Sequence, residues 1–294
     1  MAYKTVMVGL ALDLPNDACL EVAGQLAKHF GAYAIGTAAG EFSPPLYFTA
    51  GEAAQRVLDQ GQAAVRNRVA EVEAQFRAAM QGRTAAVEWP CAEDFPTGFV
   101  VQQARAADII VVGENAQDAS TNPFMRVNPG DLLMQTGRPL LVVPDAVDWL
   151  DLRCVLVAWK DTPECRRAVA DALPILREAK DVVVVEIVEE EADRAAALAG
   201  VEDIVAWLLR HGVLANARVP AECGSATRYN RVGARRRAGC CGCLRSFAFS
   251  RVDFGRGNET PRQSFKALFT TVALKMKRDV LFETRSELMS VNTA

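Results

Sequence analysis

The sequence predicts an α/β protein made of tandem doubly wound parallel-sheet domains, flavodoxin- or Rossmann-like in class, with the second domain incomplete. Three observations predict it. Short, wholly apolar runs alternate with longer amphipathic stretches, as strands buried on both faces alternate with crossover helices. The opening pattern occurs twice, about 150 positions apart, which marks a duplicated domain rather than a solenoid unit. The alternation then stops near Thr227, although the first copy runs on to a fourth and a fifth strand.

In the first copy (residues 1–148), Lys4-Thr5-Val6-Met7-Val8-Gly9 is a short apolar strand. Asp13 and Pro15-Asn16-Asp17 follow, a capping and acidic cluster that starts a helix carrying Cys19, Leu20, Val22 and Ala23. Tyr33–Thr37 is the second strand. Residues 52–80 space Val57, Leu58, Val65, Val69, Val72 and Phe76 along one helical face. Thr84–Trp89 is a third strand and Gly98–Ala106 a helix. Asp108–Val112 is a fourth strand that ends on Gly113. A helix over Asp131–Thr136 is closed by Gly137, and Arg138–Pro144 is the last strand. Right-handed crossovers between such strands give a sheet covered on both faces. Residues 145–151 read as a linker, with Trp149 and Leu150 expected to pack on the neighbouring domain.

The second copy (residues 149–227) repeats the opening. Arg153–Ala158 matches the first strand, Asp161, Thr162, Pro163 and Glu164 match the capping cluster, and Cys165–Val169 match the first helix. Asp181–Ile187 is its second strand, Val201–Leu209 an amphipathic helix and Ala217–Pro220 a third strand.

Half of the 294 residues are apolar and 23% are charged, ordinary for a globular chain. The start has neither a basic region nor an apolar core of a signal sequence, and no uncharged run is long enough to span a bilayer. A cytoplasmic protein without membrane or nucleic-acid partners is the expectation. Cys19, Cys91, Cys154, Cys165 and Cys223 are scattered singly, as reduced thiols are. The net charge of −3 conceals a split: residues 228–294 hold 14 basic and 5 acidic side chains, the preceding residues 19 and 31.

The two strand–Asp–helix openings, Ala107-Asp108-Ile109-Ile110-Val111-Val112-Gly113 and Gly137-Arg138-Pro139-Leu140-Leu141-Val142-Val143-Pro144 resemble the universal stress proteins in their tandem, two-domain form. The resemblance covers residues 3–227. It implies a five-stranded flavodoxin-like sheet, dimerisation through the last strand and, in one branch of the family, ATP binding. That branch uses Gly-x-x-Gly, nine residues and a further Gly before a small residue, so that backbone N–H groups reach the triphosphate beside a helix N-terminus. A carboxylate after the first strand contacts the nucleoside at the C-terminal edge of the sheet.

Carried onto this sequence, the nucleotide-binding candidates are Asp13, Gly113 and Gly130 in the first copy, and Asp161, Thr162 and Ile187 in the second. The first copy departs from the motif: Ala116 holds the second glycine position, and Gly130 is followed by Asp131, whose charge repels a triphosphate. Gly113 and Gly130 have the alternative role of turning the chain, and Asp161 that of an acidic charge at a helix start. The second copy's glycine motif should follow Thr227, and is absent.

In its place stands an aperiodic run, Arg235-Arg236-Arg237-Ala238-Gly239-Cys240-Cys241-Gly242-Cys243. A shifted reading frame from Arg228 accounts for it. Codons read one nucleotide later permit Asp-Thr-Ile-Glu at residues 228–231 and Val-Val-Gly-Ala-Tyr-Gly-His-Ser-Arg-Phe-Arg-Glu-Trp-Ile-Leu-Gly across residues 240–255. That hidden string holds a strand and Gly-x-x-Gly, nine residues, Gly. Three other readings compete: metal ligation by Cys240, Cys241 and Cys243, which lack a fourth ligand nearby; phosphate binding by Arg228, Arg231 and Arg235–Arg237; and a surface helix over Phe265–Phe282.

His29 and His211 lie near helix ends, where they complement the helix dipole. Glu189-Glu190-Glu191 reads as a solvated loop. No nucleophile elbow, Walker loop or metal-binding spacing appears. The expected function is therefore a non-enzymatic, homodimeric stress-response protein with a degenerate or lost nucleotide site, ATP being its candidate cofactor. The alternatives are an ATP-using enzyme of the adenine-nucleotide α-hydrolase group and a dimerising interaction scaffold.

Overall fold

A computed structural model of the chain describes residues 2–44, 51–114, 122–145, 147, 149–150, 152–188, 191–219 and 272–274. The basic and cysteine-rich run, most of Phe265–Phe282, Cys223, Ala116, Glu189 and Glu190 lie outside the described residues.

The first copy contains β1 (Thr5–Gly9), α1 (Asp17–Phe30), β2 (Tyr33–Ala39), α2 (Glu52–Met80), β3 (Val87–Glu88), β4 (Cys91–Ala92), α3 (Pro96–Gln103), β5 (Ile109–Gly113), α4 (Pro129–Thr136) and β6 (Leu140–Val143). A 3-10 turn, Ala104–Ala106, follows α3. The sheet order is β3-β2-β1-β5-β6, and β4 also pairs with β2. All pairings in this sheet are parallel. The expected third strand is split because Pro90 lacks an N–H for the ladder. The chain pairs with β2 on either side of Trp89-Pro90, through Val87 and then Cys91. Counted as one strand, β3 and β4 give the order 3-2-1-4-5, with the topological switch between β1 and β5.

Two apolar layers hold this sheet. Val6, Val8, Ala34 and Val111 join Val22 and Leu26 of α1 and Val65, Val72 and Phe76 of α2 in one core. Met7, Ile35, Ile110 and Val112 join Val100 of α3 and Leu132 of α4 in the other. Because strand side chains alternate, Val6, Met7 and Val8 of β1 are buried on both faces of the sheet. Gly36 allows the Phe76 ring to sit on β2, where an added Cβ would lie 2.7 Å from the ring.

The second sheet has the order β10-β7-β8-β9. Its strands are β7 (Cys154–Ala158), β8 (Asp181–Val185), β9 (Ala215–Arg218) and β10 (Val272–Leu274). β7, β8 and β9 are parallel and match the first three strands of copy one; β10 pairs antiparallel with β7. The first helix of the repeat is divided into α5 (Pro163–Asp171) and α6 (Leu173–Glu178), and α7 (Arg194–Arg210) is the counterpart of α2. Pro174 stands at the start of α6, where its missing N–H costs nothing.

Leu150 of the linker is buried, and its N–H donates to Gln25 Oε1 of α1 at 2.8 Å. Trp149, expected to pack beside it, is instead 58% exposed. Tyr3, at the start of the first copy, donates its hydroxyl proton to the Asp171 carbonyl at 2.7 Å, and burial pushes its phenol well above the usual range. His29 lies in the last turn of α1, as expected, and makes a further contact there. Its Nε2 lies 3.3 Å from Glu178 Oε2, while Gly31 closes α1 in the left-handed conformation. The His211 ring lies against Trp207, with centroids 4.2 Å apart and the planes tilted by 48°.

Candidate functional site

Parallel doubly wound sheets gather their loops at the C-terminal ends of the strands, where the backbone leaves the ladder. In the first copy these ends carry the loop after β1, with Asp13, the end of β5, with Gly113, and the start of α4, with Gly130. The site is braced by three buried polar side chains. Asn16 Oδ1 accepts from the Ala11 N–H at 3.0 Å while its Nδ2 donates to the Ala11 carbonyl at 2.9 Å. Thr37 donates to the Val8 carbonyl at 3.2 Å, and Thr97 Oγ1 accepts from the Asn128 N–H at 3.0 Å. Asn16 therefore makes no cap to α1, contrary to the sequence expectation, because its amide is spent on the loop before it.

Asp13 is held by Arg126. The guanidinium Nη2 lies 2.6 Å from Oδ2, and Nε lies 3.2 Å from each carboxylate oxygen. The arginine side chain is 11% exposed and the aspartate 26%. The segment carrying Arg126 crosses the strand ends: Leu12 N–H donates to the Met125 carbonyl at 2.8 Å, and Glu41 N–H to the Phe124 carbonyl at 2.9 Å. Arg68 of α2 donates to the Leu12 carbonyl at 2.6 Å. At Gly40, at the end of β2, an added Cβ would run into Leu12 Cδ1 and touch Met125 Sδ.

The N-terminus of α4 is capped from within. Asn128 Oδ1 accepts from the N–H groups of Gly130 at 2.8 Å and Asp131 at 3.2 Å. Gly130 thus donates to a side chain of its own helix start, and its Cβ position faces only Asn128 Oδ1 at 3.2 Å. Gly113 has open space around its Cβ position and no positive φ; the following Glu114 N–H donates to the Val143 carbonyl at 2.7 Å. Neither Arg126 nor Asn128 was singled out from sequence. Asn128-Pro129 is a readable signal, an N-cap followed by proline at the first helical position. Arg126 carries none, since only the loop path brings it to a residue 113 positions away.

In the second copy, Thr162 caps α5 by accepting from the Cys165 N–H at 3.2 Å. Asp161 binds Arg166 of the same helix, Nη2 lying 2.6 Å and Nε 2.9 Å from Oδ1, and both side chains are largely exposed. Ile187 lies beyond β8 and is exposed. Glu186, next to it, is a further acid at this edge. Burial raises its pKa, the Asp161 charge adds to the shift, and Lys160 opposes it. Trp159, which closes β7, is buried, and its indole Nε1 has no hydrogen-bond partner among the described residues. Among the described residues no three His, Cys, Asp or Glu side chains are grouped to hold a metal ion. No helix among them is long and apolar enough to cross a membrane.

No family model and no curated protein matches the chain. Solved structures do. A universal stress protein from Archaeoglobus fulgidus DSM 4304 superposes over 78% of this chain and 84% of its own, with a TM-score of 0.53 and 13% identity. The fold is that of a universal stress protein. Universal stress protein UspA from Lactobacillus plantarum aligns over 49% of this chain and 99% of its own, at a TM-score of 0.39 and 14% identity. A universal stress protein solved in complex with cAMP aligns over 49% and 98%, at 0.36 and 20%. On the universal stress protein fold, Asp13 and Asp161 both follow a first strand, and both are paired with arginine.

Proposed function

We propose that this chain is a cytoplasmic universal stress protein, acting in the stress response by binding rather than catalysis, and that the nucleotide site of its first copy has been closed by its own side chains. One observation carries this: the Asp13 carboxylate, which would face a nucleoside, is engaged by two nitrogens of Arg126. An incoming nucleotide would have to break that pair and find other donors, because Asn128 already occupies two N–H groups at the α4 start. Asp131 adds repulsion toward a triphosphate.

Isothermal titration of the purified chain with ATP tests the proposal. The expected outcome is no binding tighter than about 1 mM, equivalent to about −4 kcal/mol. Binding in the micromolar range would overturn it, and ATP hydrolysis above background would favour the ATP-using enzyme instead.

The same reading includes a homodimer formed through β6. β6 is the edge of the first sheet, and Val142 on it and Met134 on α4 are exposed apolar side chains. Sedimentation equilibrium of wild-type chain against Val142→Lys tests this, with a shift toward monomer expected.

A further inference from the structure

Among the described residues, the second sheet is covered on one face only. Val155, Val157, Val182 and Val184 are buried in the core with Val169, Leu176, Val201 and Leu208. Leu156, Val183 and Val185, on the opposite face, are half-buried and belong to neither core. Their register identifies what is missing. Val6 pairs with Ala34 as Val155 pairs with Val182, so Leu156 and Val183 are the counterparts of Met7 and Ile35. Those two residues are covered by α3 and α4. Among the described residues the second copy has no equivalent helices.

The slot beside β7 is also filled in an unusual way. In the first copy β5 lies there, parallel to β1, and Ile110 stands opposite Met7. In the second, the three-residue β10 lies antiparallel, with Ala273 opposite Leu156. A doubly wound repeat reaches that slot by a right-handed crossover, which delivers a parallel strand. At the end of β7 the Trp159 indole N–H is buried without a partner among the described residues, as is that of Trp89 in the first copy. By the same register Trp159 corresponds to Leu10, and the backbone N–H of each donates to the neighbouring strand, Leu10 to the Thr37 carbonyl at 2.9 Å and Trp159 to the Val185 carbonyl at 2.7 Å.

We propose that this face is built to be covered by a segment of the same gene read one nucleotide later from the codon of Arg228, and that β10 stands where a parallel strand of that segment belongs. The strand register supplies the support. Val87 pairs with Ala34, and Ala215 with Val182, so position 87 corresponds to position 215, a displacement of 128. The same displacement carries Val111-Val112-Gly113, at the end of β5, to positions 239–241. The shifted codons permit Val-Val-Gly at 240–242, one position away. The hidden strand therefore falls in the slot beside β7, and its following segment falls over Leu156 and Val183. This inference is independent of any nucleotide.

Two products of the natural gene test it: the chain as written, and the product with one nucleotide removed at the Arg228 codon. Hydrogen–deuterium exchange of β7 and β8 amides is expected to slow by about 100-fold in the shifted product, as the second face of the sheet is covered. Equal exchange in both would overturn the proposal. Leu156→Asp supplies a second readout. It should lower the Tm of the shifted product by about 10 °C and that of the written chain by about 2 °C or less. Equal losses would count against it. The intact mass of the protein isolated from its own cells gives a third check: the mass of the shifted product is expected, and the mass of the written chain would overturn the assignment.

Discussion

Arg126 grips Asp13 through Nε and Nη2, with a shortest contact of 2.6 Å between residues 113 positions apart. The pair ties the segment before α4 to the loop after β1, across the strand ends where doubly wound sheets take their ligands. Its low exposure makes it more than a surface ion pair, yet the aspartate stays accessible enough to keep its charge hydrated in part.

Removing the arginine therefore has a structural cost. Arg126→Ala leaves a partly buried carboxylate without its main partner, and is expected to destabilise the chain by about 1–3 kcal/mol in urea unfolding. It is not expected to create ATP binding by itself, because the α4 N–H groups remain capped; calorimetry checks this.

Asn128→Ala removes the acceptor for two N–H groups of α4. The expected loss is about 1 kcal/mol by thermal unfolding, and Asn128→Asp should restore most of it. A loss shared equally by both variants would mean that the side chain acts through something other than the cap.

The two faces of the repeat predict unequal responses to one change. Met7→Ala empties a fully buried position in the first copy and is expected to cost about 2–5 kcal/mol. Leu156→Ala, at the matching position in the written chain, should cost about 1 kcal/mol or less. Parallel urea titrations measure both.

Glu21 gives a pH signature. Burial acts to raise its pKa, but the Gln25 hydrogen bond and Arg83, whose Nη1 is 2.7 Å from Oε2, outweigh it and hold the carboxyl below its usual 4.5. Its stabilisation is therefore present above pH 4.5 and is lost as pH falls through the depressed value. Glu21→Gln should lower stability at pH 7 by less than about 1 kcal/mol, given the exposure of the pair, and should match wild type near pH 2.

Restoring the frame has a ligand consequence beyond packing. The shifted codons permit Gly-x-x-Gly, nine residues, Gly, the spacing that the resemblance associates with ATP. Calorimetry is expected to show a gain of ATP binding for that product over the written chain, and no gain would count against the motif assignment.

Much of the first copy was legible from residue order alone. The helix over residues 52–80 coincides with α2, because its apolar spacing runs unbroken. The first and last strands lie within their apolar runs, and Gly137 ends α4 in the left-handed conformation as expected. The third strand was misjudged in extent, since Trp89-Pro90 interrupts the ladder that Thr84–Trp89 promised and pairing resumes at Cys91. Trp149 was misjudged as well: apolarity says that a side chain gains by burial, not that a surface is within reach.

What the sequence by itself determined is the α/β class, the duplicated opening and the point where the repeat fails, all local or periodic properties that survive without coordinates. Tertiary structure alone decided what occupies the strand ends. Arg126 meets Asp13 only because parallel crossovers carry distant segments to one edge of a sheet, and Tyr3 meets Asp171 where the first copy touches the second. It also decided that Leu156 and Val183 lie half-buried where Met7 and Ile35 are buried. The physical reason is the same throughout: a strand's alternation marks two apolar faces, but whether each is covered depends on elements far along the chain.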